Sequence, residues 1–254
     1  MRTITFSNNK GGSGKTTTAV SLGAVLAEMG LRVLVIDLDP QGSATYWLGG
    51  QESQVGLVEL GSGGIRVSQV VRSTTMSGLE LLPVSPSIVA SGETTPNDTG
   101  LAIVRGFARL PDYWDVVIVD TPPTVGYLSL APIVASDHVV VPVEAHALAV
   151  PGVAAVLQTI KRARQRVNPR VDLLGIVASR VNTTRHTRDV VSQLHMKFGA
   201  LVLEQTVRDS IRLAEAPALQ LPITQSAPSS AVAEDYRAVA RELLGRMRGT
   251  DSLP

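Results

Sequence analysis

The sequence predicts an α/β protein built on one doubly wound, mostly parallel sheet with helices on both faces. Three observations carry that expectation. Short aliphatic runs alternate with longer amphipathic stretches along the chain. The runs are apolar at consecutive positions, as strands covered on both faces must be. The 254 residues are 44% hydrophobic and only 18% charged, which excludes a disordered chain and supplies a full core. That length fits one large α/β domain over residues 1–254.

The elements follow in order. Thr3–Ser7 is rich in β-branched residues and leads into a Gly-rich loop. Thr16–Met29 sets Ala19, Leu22, Val25, Leu26 and Met29 at helical spacing, and Gly30 ends it. Arg32–Asp37 is a nearly all-apolar strand. Gly49–Gly78 is rich in Gly, Ser and Thr with weak periodicity. Leu79–Leu82 is the next strand, and Ser85–Gly100, punctuated by Pro and Gly, is expected to be a surface loop. The remaining strands are Asp115–Asp120, His138–Val143 and Leu173–Ala178. The helical patterns are Leu101–Leu110, Val150–Arg166, Arg188–Phe198 and Ala231–Met247, with a frayed end at Gly249–Pro254. Strands alternating with helices imply right-handed crossovers.

Composition narrows the chemistry. No cysteine is present, so disulfides, thiolate zinc sites, iron–sulfur clusters and cysteine nucleophiles are excluded. The four histidines lack the spacing of metal ligands. Net charge is +1, so nucleic-acid binding would need cations gathered on one face rather than bulk charge. The N-terminus runs into the polar Asn8-Asn9-Lys10 without an apolar leader. The most apolar stretch, Val139–Leu157, is broken by Pro142, Glu144, His146 and Pro151. These features point to a cytoplasmic protein with no membrane association.

Lys10-Gly11-Gly12-Ser13-Gly14-Lys15-Thr16-Thr17 lies between the first strand and the first helix. A loop that wraps polyphosphate needs glycines, because backbone N–H groups must point inward where Cβ atoms would obstruct them. The following helix offers its positive end. Lys15 is placed to reach the terminal phosphates, and the Thr16 hydroxyl to ligate Mg²⁺. The strict G-x-x-x-x-G-K-[ST] pattern fails, because Asn9 stands at its first glycine. Asp37-Leu38-Asp39-Pro40-Gln41-Gly42 and the run Asp115–Asp120 both put carboxylates at the carboxyl ends of strands, where open α/β sheets bind ligands. The apolar run ending in Asp120 suits a Mg²⁺-holding strand.

Lysine at position 10, five residues before Lys15, makes the loop resemble the deviant Walker A class, K-G-G-x-G-K-[ST], and within it the ParA-type partition ATPases, a group of P-loop NTPases. That class accepts a residue such as Asn9. The resemblance extends through DLDPQG and DVVIVD-TPP to Arg212-Leu213-Ala214-Glu215-Ala216-Pro217, which is similar to the R-L-S-E-A-P segment of the chromosomal, Soj-like branch. It implies ATP and Mg²⁺ as cofactors, bound by Lys10, Gly11, Gly12, Ser13, Gly14, Lys15, Thr16 and Thr17. It further implies that Lys10 crosses a homodimer interface to the partner's nucleotide, that Asp39 orients the attacking water, and that Asp37 and Asp120 support the Mg²⁺ shell with Thr16. The prolines after Asp120 fit a switch loop that senses the terminal phosphate.

Nonspecific double-stranded DNA, a ParB-like centromere-binding partner and a nucleoid-associated location come from the same resemblance. Arg185, Arg188 and Arg212 are the candidate DNA contacts. The basic run Lys161, Arg162, Arg164, Arg166 and Arg170 reads instead as a solvated face. Arg208 stands where relatives often carry a proline near the base, so adenine recognition by that segment is open, and Asn182 is an alternative candidate. Two other functions remain. One is a MinD-like membrane switch, with Ala231–Met247 as a basic amphipathic anchor; packing of its apolar face on the domain accounts better for the small Ala and Val residues there. The other is a small-molecule ATP-dependent ligase, which needs no Lys10 contact in trans.

Overall fold

A computed structural model describes residues 1–51, 53–89, 96–146 and 149–250. Among them runs one seven-stranded sheet: β1 (Arg2–Phe6), β2 (Val33–Asp37), β3 (Arg72–Ser73), β4 (Leu79–Leu82), β5 (Val116–Asp120), β6 (His138–Glu144) and β7 (Asp172–Ser179). The order is β3-β4-β2-β5-β1-β6-β7. All neighbours are parallel except the two-residue edge strand β3, antiparallel to β4. The α/β sheet inferred from the buried runs is the one observed.

The helices are α1 (Lys15–Glu28), α2 (Ser43–Trp47), α3 (Leu57–Ser62), α4 (Val67–Val70), α5 (Pro86–Val89), α6 (Pro96–Ala108), α7 (Tyr127–Ala135), α8 (Ala149–Arg166), α9 (Arg185–Phe198), α10 (Ile211–Glu215), α11 (Ile223–Ser226) and α12 (Ala231–Thr250). Burial follows the period of two along the strands. Val33 and Val35 of β2 join the core beneath α1 and α12, while Leu34 and Ile36 join the core beneath α3 and α6. A third cluster packs β6 and β7 against α8 and α9. The approach of α3 to α6 depends on Gly61, where a Cβ would lie 1.8 Å from the Ala102 carbonyl oxygen.

Two expectations about loops are corrected. Ser85–Gly100 is not loop throughout: α5 occupies Pro86–Val89 and α6 begins at Pro96, while residues 90–95 lie outside the described residues. Ile88 is buried against the α3–α6 core, and one apolar anchor was too weak a periodic signal to show a single helical turn. The C-terminal helix also continues through Gly249 to Thr250, and residues 251–254 lie outside the described residues. Its apolar face, with Tyr236, Val239, Ala240, Leu243 and Met247, is buried in the α1–α12 core.

Candidate nucleotide site

The strand order makes the site. β1 has β5 on one side and β6 on the other: the connection from β1 runs past β5 to β2, while that from β5 returns past β1 to β6, which leaves a crevice at the carboxyl end of β1. Register then brings the carboxylates together: Asp37 and Asp120 are partners on adjacent rungs of β2 and β5, and Phe6 is the partner of Asp120 on β1. The Gly-rich loop leaves β1 directly above them.

Several side chains brace that loop. Asn8 Nδ2 donates to the Pro142 carbonyl at 2.8 Å, and Asn8 Oδ1 accepts from the Lys10 amide at 3.1 Å. The Thr121 hydroxyl donates to the Phe6 carbonyl at 2.7 Å. Gly14 has φ +82°, and a Cβ there would stand 3.2 Å from Ser179 Oγ. A residue with a side chain would be strained in this left-handed conformation and crowded against β7.

Lys15 is 6% exposed, and its ammonium donates to the Lys10 carbonyl at 3.3 Å. Burial lowers its pKa, and the charges of Asp120 and Asp39 pull it back up. Asp120 is wholly buried and neither carboxylate oxygen makes a geometrically sound hydrogen bond. Burial raises its pKa well above 3.8, Asp37 raises it further, and the nearby Thr16 hydroxyl and Lys15 ammonium act against the rise. A native fold rarely leaves such a group unmatched unless something binds there. A Mg²⁺ ion with phosphates fits this donor set: hard oxygen donors from Asp120 and Thr16, a buried ammonium, and an open cradle of backbone N–H groups.

The other two carboxylates differ in their freedom. Asp37 is buried, with Oδ1 accepting from the Asp39 amide at 3.0 Å and Oδ2 accepting from the Thr45 amide at 2.7 Å and its hydroxyl at 2.8 Å. Burial, partly offset by these bonds, pushes its pKa up to about 6. Asp37 therefore fastens α2 to the end of β2, so any support it gives a cation runs through the framework as well as its charge. Asp39 lines the cleft, and among the described residues its carboxylate accepts only from the Gln41 amide, at 3.0 Å.

The cleft has a volume of about 510 Å³. Gly12, Ser13, Gly14, Lys15, Thr16, Thr17 and Asp39 form one side, and Ser179, Arg180, Asp209, Ser210 and Ile211 the other. Half-buried Lys10 and exposed Gly11 lie outside this lining, at the shoulder of the loop. Asn182 lies outside it too: its Oδ1 accepts from the Thr184 amide, the Thr184 hydroxyl and the Thr187 hydroxyl, as a local turn at the start of α9. Sequence reasoning placed Asn182 by proximity to a strand end and missed Ser179 and Arg180, which lie closer to that end. Arg208 turns away to make a bidentate pair with Asp235, at 2.6 and 2.8 Å, while the residues after it reach the cleft.

The candidate DNA contacts lie on neighbouring segments. A parallel bridge joins Val181 to Arg208, so the chains leading to α9 and α10 leave the sheet side by side. Arg185 and Arg188 occupy the first turn of α9 and are exposed, with no ion pair among the described residues. Arg212 is exposed and pairs with Glu215 at 3.1 Å. Arg164 of the α8 basic run pairs with Asp172 at 3.0 Å, as a solvated face does.

Residues 1–173 match the AAA domain family. The chain is 38% identical to the chromosome-partitioning ATPase Soj of Thermus thermophilus over 98% of its own length and 97% of that protein. The chain belongs to the ParA-type partition ATPases of the ParA/MinD superfamily. Two solved structures extend the likeness. One is a Mycobacterium smegmatis cobyrinic acid a,c-diamide synthase with bound ATP analogue and magnesium (TM-score 0.82, 32% identity, 100% of this chain and 98% of that one). The other is an ATP complex of a Cyanothece McdA variant (TM-score 0.84, 25% identity, 96% of each chain). As a member of this family the chain has the α/β P-loop fold of a nucleotide-hydrolysing enzyme.

Proposed function

We propose that residues 1–254 act as a Mg·ATP-dependent dimerising switch that hydrolyses ATP to ADP and phosphate, binds DNA without sequence preference, and positions a plasmid or chromosome through a ParB-like partner. The observation that carries this reading is the unmatched pair of Asp120 oxygens, buried beneath the Gly-rich loop and facing Thr16 and Lys15. Backbone N–H groups of Gly11–Thr17 and the Lys15 ammonium bind the phosphates. Thr16 and Asp120 are the residues that would hold Mg²⁺, whose chemistry is to neutralise charge on the terminal phosphates. Asp39 orients the attacking water. Lys10, half-buried at the shoulder of the loop, reaches the partner's nucleotide and neutralises charge there, so the dimer lasts only while the terminal phosphate does.

The arginines support the DNA half of the reading. Cations in the first turn of a helix oppose its dipole, so helix stability does not explain Arg185 and Arg188 at the start of α9. Dimerisation doubles a weak phosphate-binding face and raises its avidity. The likeness to the chromosome-partitioning ATPase Soj supports the partition reading. Among the described residues no helix is long and apolar enough to cross a membrane, and α12 spends its apolar face on the core rather than on a lipid surface. A cytoplasmic, nucleoid-associated location follows from the proposed DNA contact.

The test is DNA binding against salt with ATP, with ADP and with no nucleotide. A steep salt slope only with ATP is expected, and alanine at Arg185, Arg188 or Arg212 should each flatten it by about one counterion. Equal binding in all three states would defeat the reading. The diamide synthase likeness favours a second reading, an ATP-dependent ligase. Lys10→Ala separates them: ATPase activity and dimerisation left intact would favour the ligase.

A further inference from the structure

The carboxyl end of β6 holds a cluster that the nucleotide site does not use. Glu144 is 27% exposed and faces two cations, Lys10 Nζ at 4.0 Å and Arg180 NH1 at 3.3 Å, with the His146 imidazole Nε2 at 3.8 Å. Arg180 also lines the nucleotide cleft, has φ +53° and sits 3.9 Å from Asp209 on the adjoining segment. That left-handed region disfavours a residue with a side chain, so its neighbours must hold Arg180 there. One carboxylate is thus shared between a lysine on the Gly-rich loop and an arginine on the cleft wall. The backbone of Lys10 is already fixed by Asn8, which leaves the side chain as the mobile part.

We propose that Glu144 is a positioning residue that holds Lys10 against its own protomer, and that Arg180 competes with Lys10 for it. The proposal rests on the reading of Lys10 as a trans contact. A lysine that must leave its protomer to engage a partner first has to part from Glu144. Nucleotide-driven dimerisation therefore breaks two such pairs, one in each protomer. A ligand that draws Arg180 into the cleft leaves Glu144 more tightly on Lys10. A ligand that leaves Arg180 on Glu144 makes Lys10 easier to release.

The expected size follows from the pair's exposure. A half-exposed ion pair shifts an equilibrium by about two- to fivefold, and two pairs per dimer by about four- to twenty-five-fold. The experiment measures the dimer dissociation constant by sedimentation velocity, with saturating non-hydrolysable ATP analogue and Mg²⁺, for wild type, Glu144→Gln, Glu144→Asp, Arg180→Met, Lys10→Ala and Lys10→Ala/Glu144→Gln. Thermal unfolding and analogue affinity under dilute conditions check that each variant folds and binds. Glu144→Gln should tighten the dimer by that factor, Glu144→Asp should lie near wild type, and Arg180→Met should weaken it. In the Lys10→Ala background Glu144→Gln should change nothing, which a merely structural role for Glu144 would not produce. A dimer unchanged or weakened by Glu144→Gln, while Lys10→Ala measurably weakens dimerisation, overturns the proposal and leaves the trans lysine standing. A Lys10→Ala protein that dimerises like wild type overturns the trans lysine itself, and the latch with it.

Discussion

Raising the pH of the ligand-free protein should destabilise it between about pH 4 and 6, which is opposite to the usual behaviour of a native carboxylate. Asp37 rises from 3.8 to about 6 because burial disfavours its charge. Below pH 4 the group is protonated in folded and unfolded chains alike, and no penalty applies. Between the two pKa values the folded chain binds the extra proton, so stability falls as pH rises; above about 6 the loss is complete. At about 1.4 kcal/mol per tenfold change in proton affinity, the loss is on the order of 3 kcal/mol. Asp120 adds to it in the same direction. For a chain of this size that corresponds to a fall in Tm of roughly 6–12 °C. Asp115, drawn down to about 2 by the Arg32 guanidinium, acts with the opposite sign but below this window. The assay is calorimetry and urea unfolding at pH 4.5, 5.5, 6.5 and 7.5, for wild type and Asp120→Asn, with and without Mg·ATP analogue. Asp120→Asn should flatten the slope by removing the titration that Asp120 itself contributes, and ligand should flatten it in wild type by matching the buried charge. Stability flat or rising through pH 4–6 in the ligand-free wild type would refute the reasoning.

Further outcomes follow from single contacts. Lys15→Met should leave the fold as stable as before, since burial already disfavours the ammonium, yet weaken ATP binding about 10- to 150-fold in titration calorimetry through the lost charged hydrogen bonds. Gly14→Ala should lower stability by about 1–2 kcal/mol for its positive φ, seen as a shifted urea midpoint, and should also displace the loop from Ser179 and reduce nucleotide affinity. Leu243→Ala, at a position 5% exposed in the α12 face, should cost about 2–5 kcal/mol; a loss under 1 kcal/mol together with liposome binding would return the helix to the membrane reading.

The sheet was legible because each long strand is apolar at consecutive positions, so even Val33–Asp37 and Val116–Asp120 announce their burial on both faces. The Gly-rich loop and its carboxylates were legible because chemistry fixes their residue types and strand ends fix their place. The far wall of the cleft was not. Ser179 and Arg180 reach it through the end of β7, and Asp209–Ile211 through the Val181–Arg208 bridge, a pairing between segments about thirty residues apart that no local pattern encodes. Asn182 shows the same limit: a turn residue next to Thr184 and Thr187 finds its partners nearby, and it lies outside the cleft lining. The Lys10–Glu144 contact also joins distant residues, and no periodic signal marks it.

The two tryptophans occupy opposite ends of the sheet. Trp47 closes α2 two residues after Thr45, the residue that Asp37 holds, and its indole N–H donates to the Leu221 carbonyl at 2.8 Å. Trp114 precedes β5 at the other end and donates to Glu80 at 2.7 Å. Intrinsic emission from this protein therefore carries its own internal standard: filling the crevice should perturb the first indole and leave the second constant, so a Trp114→Phe protein gives a label-free optical titration of occupancy.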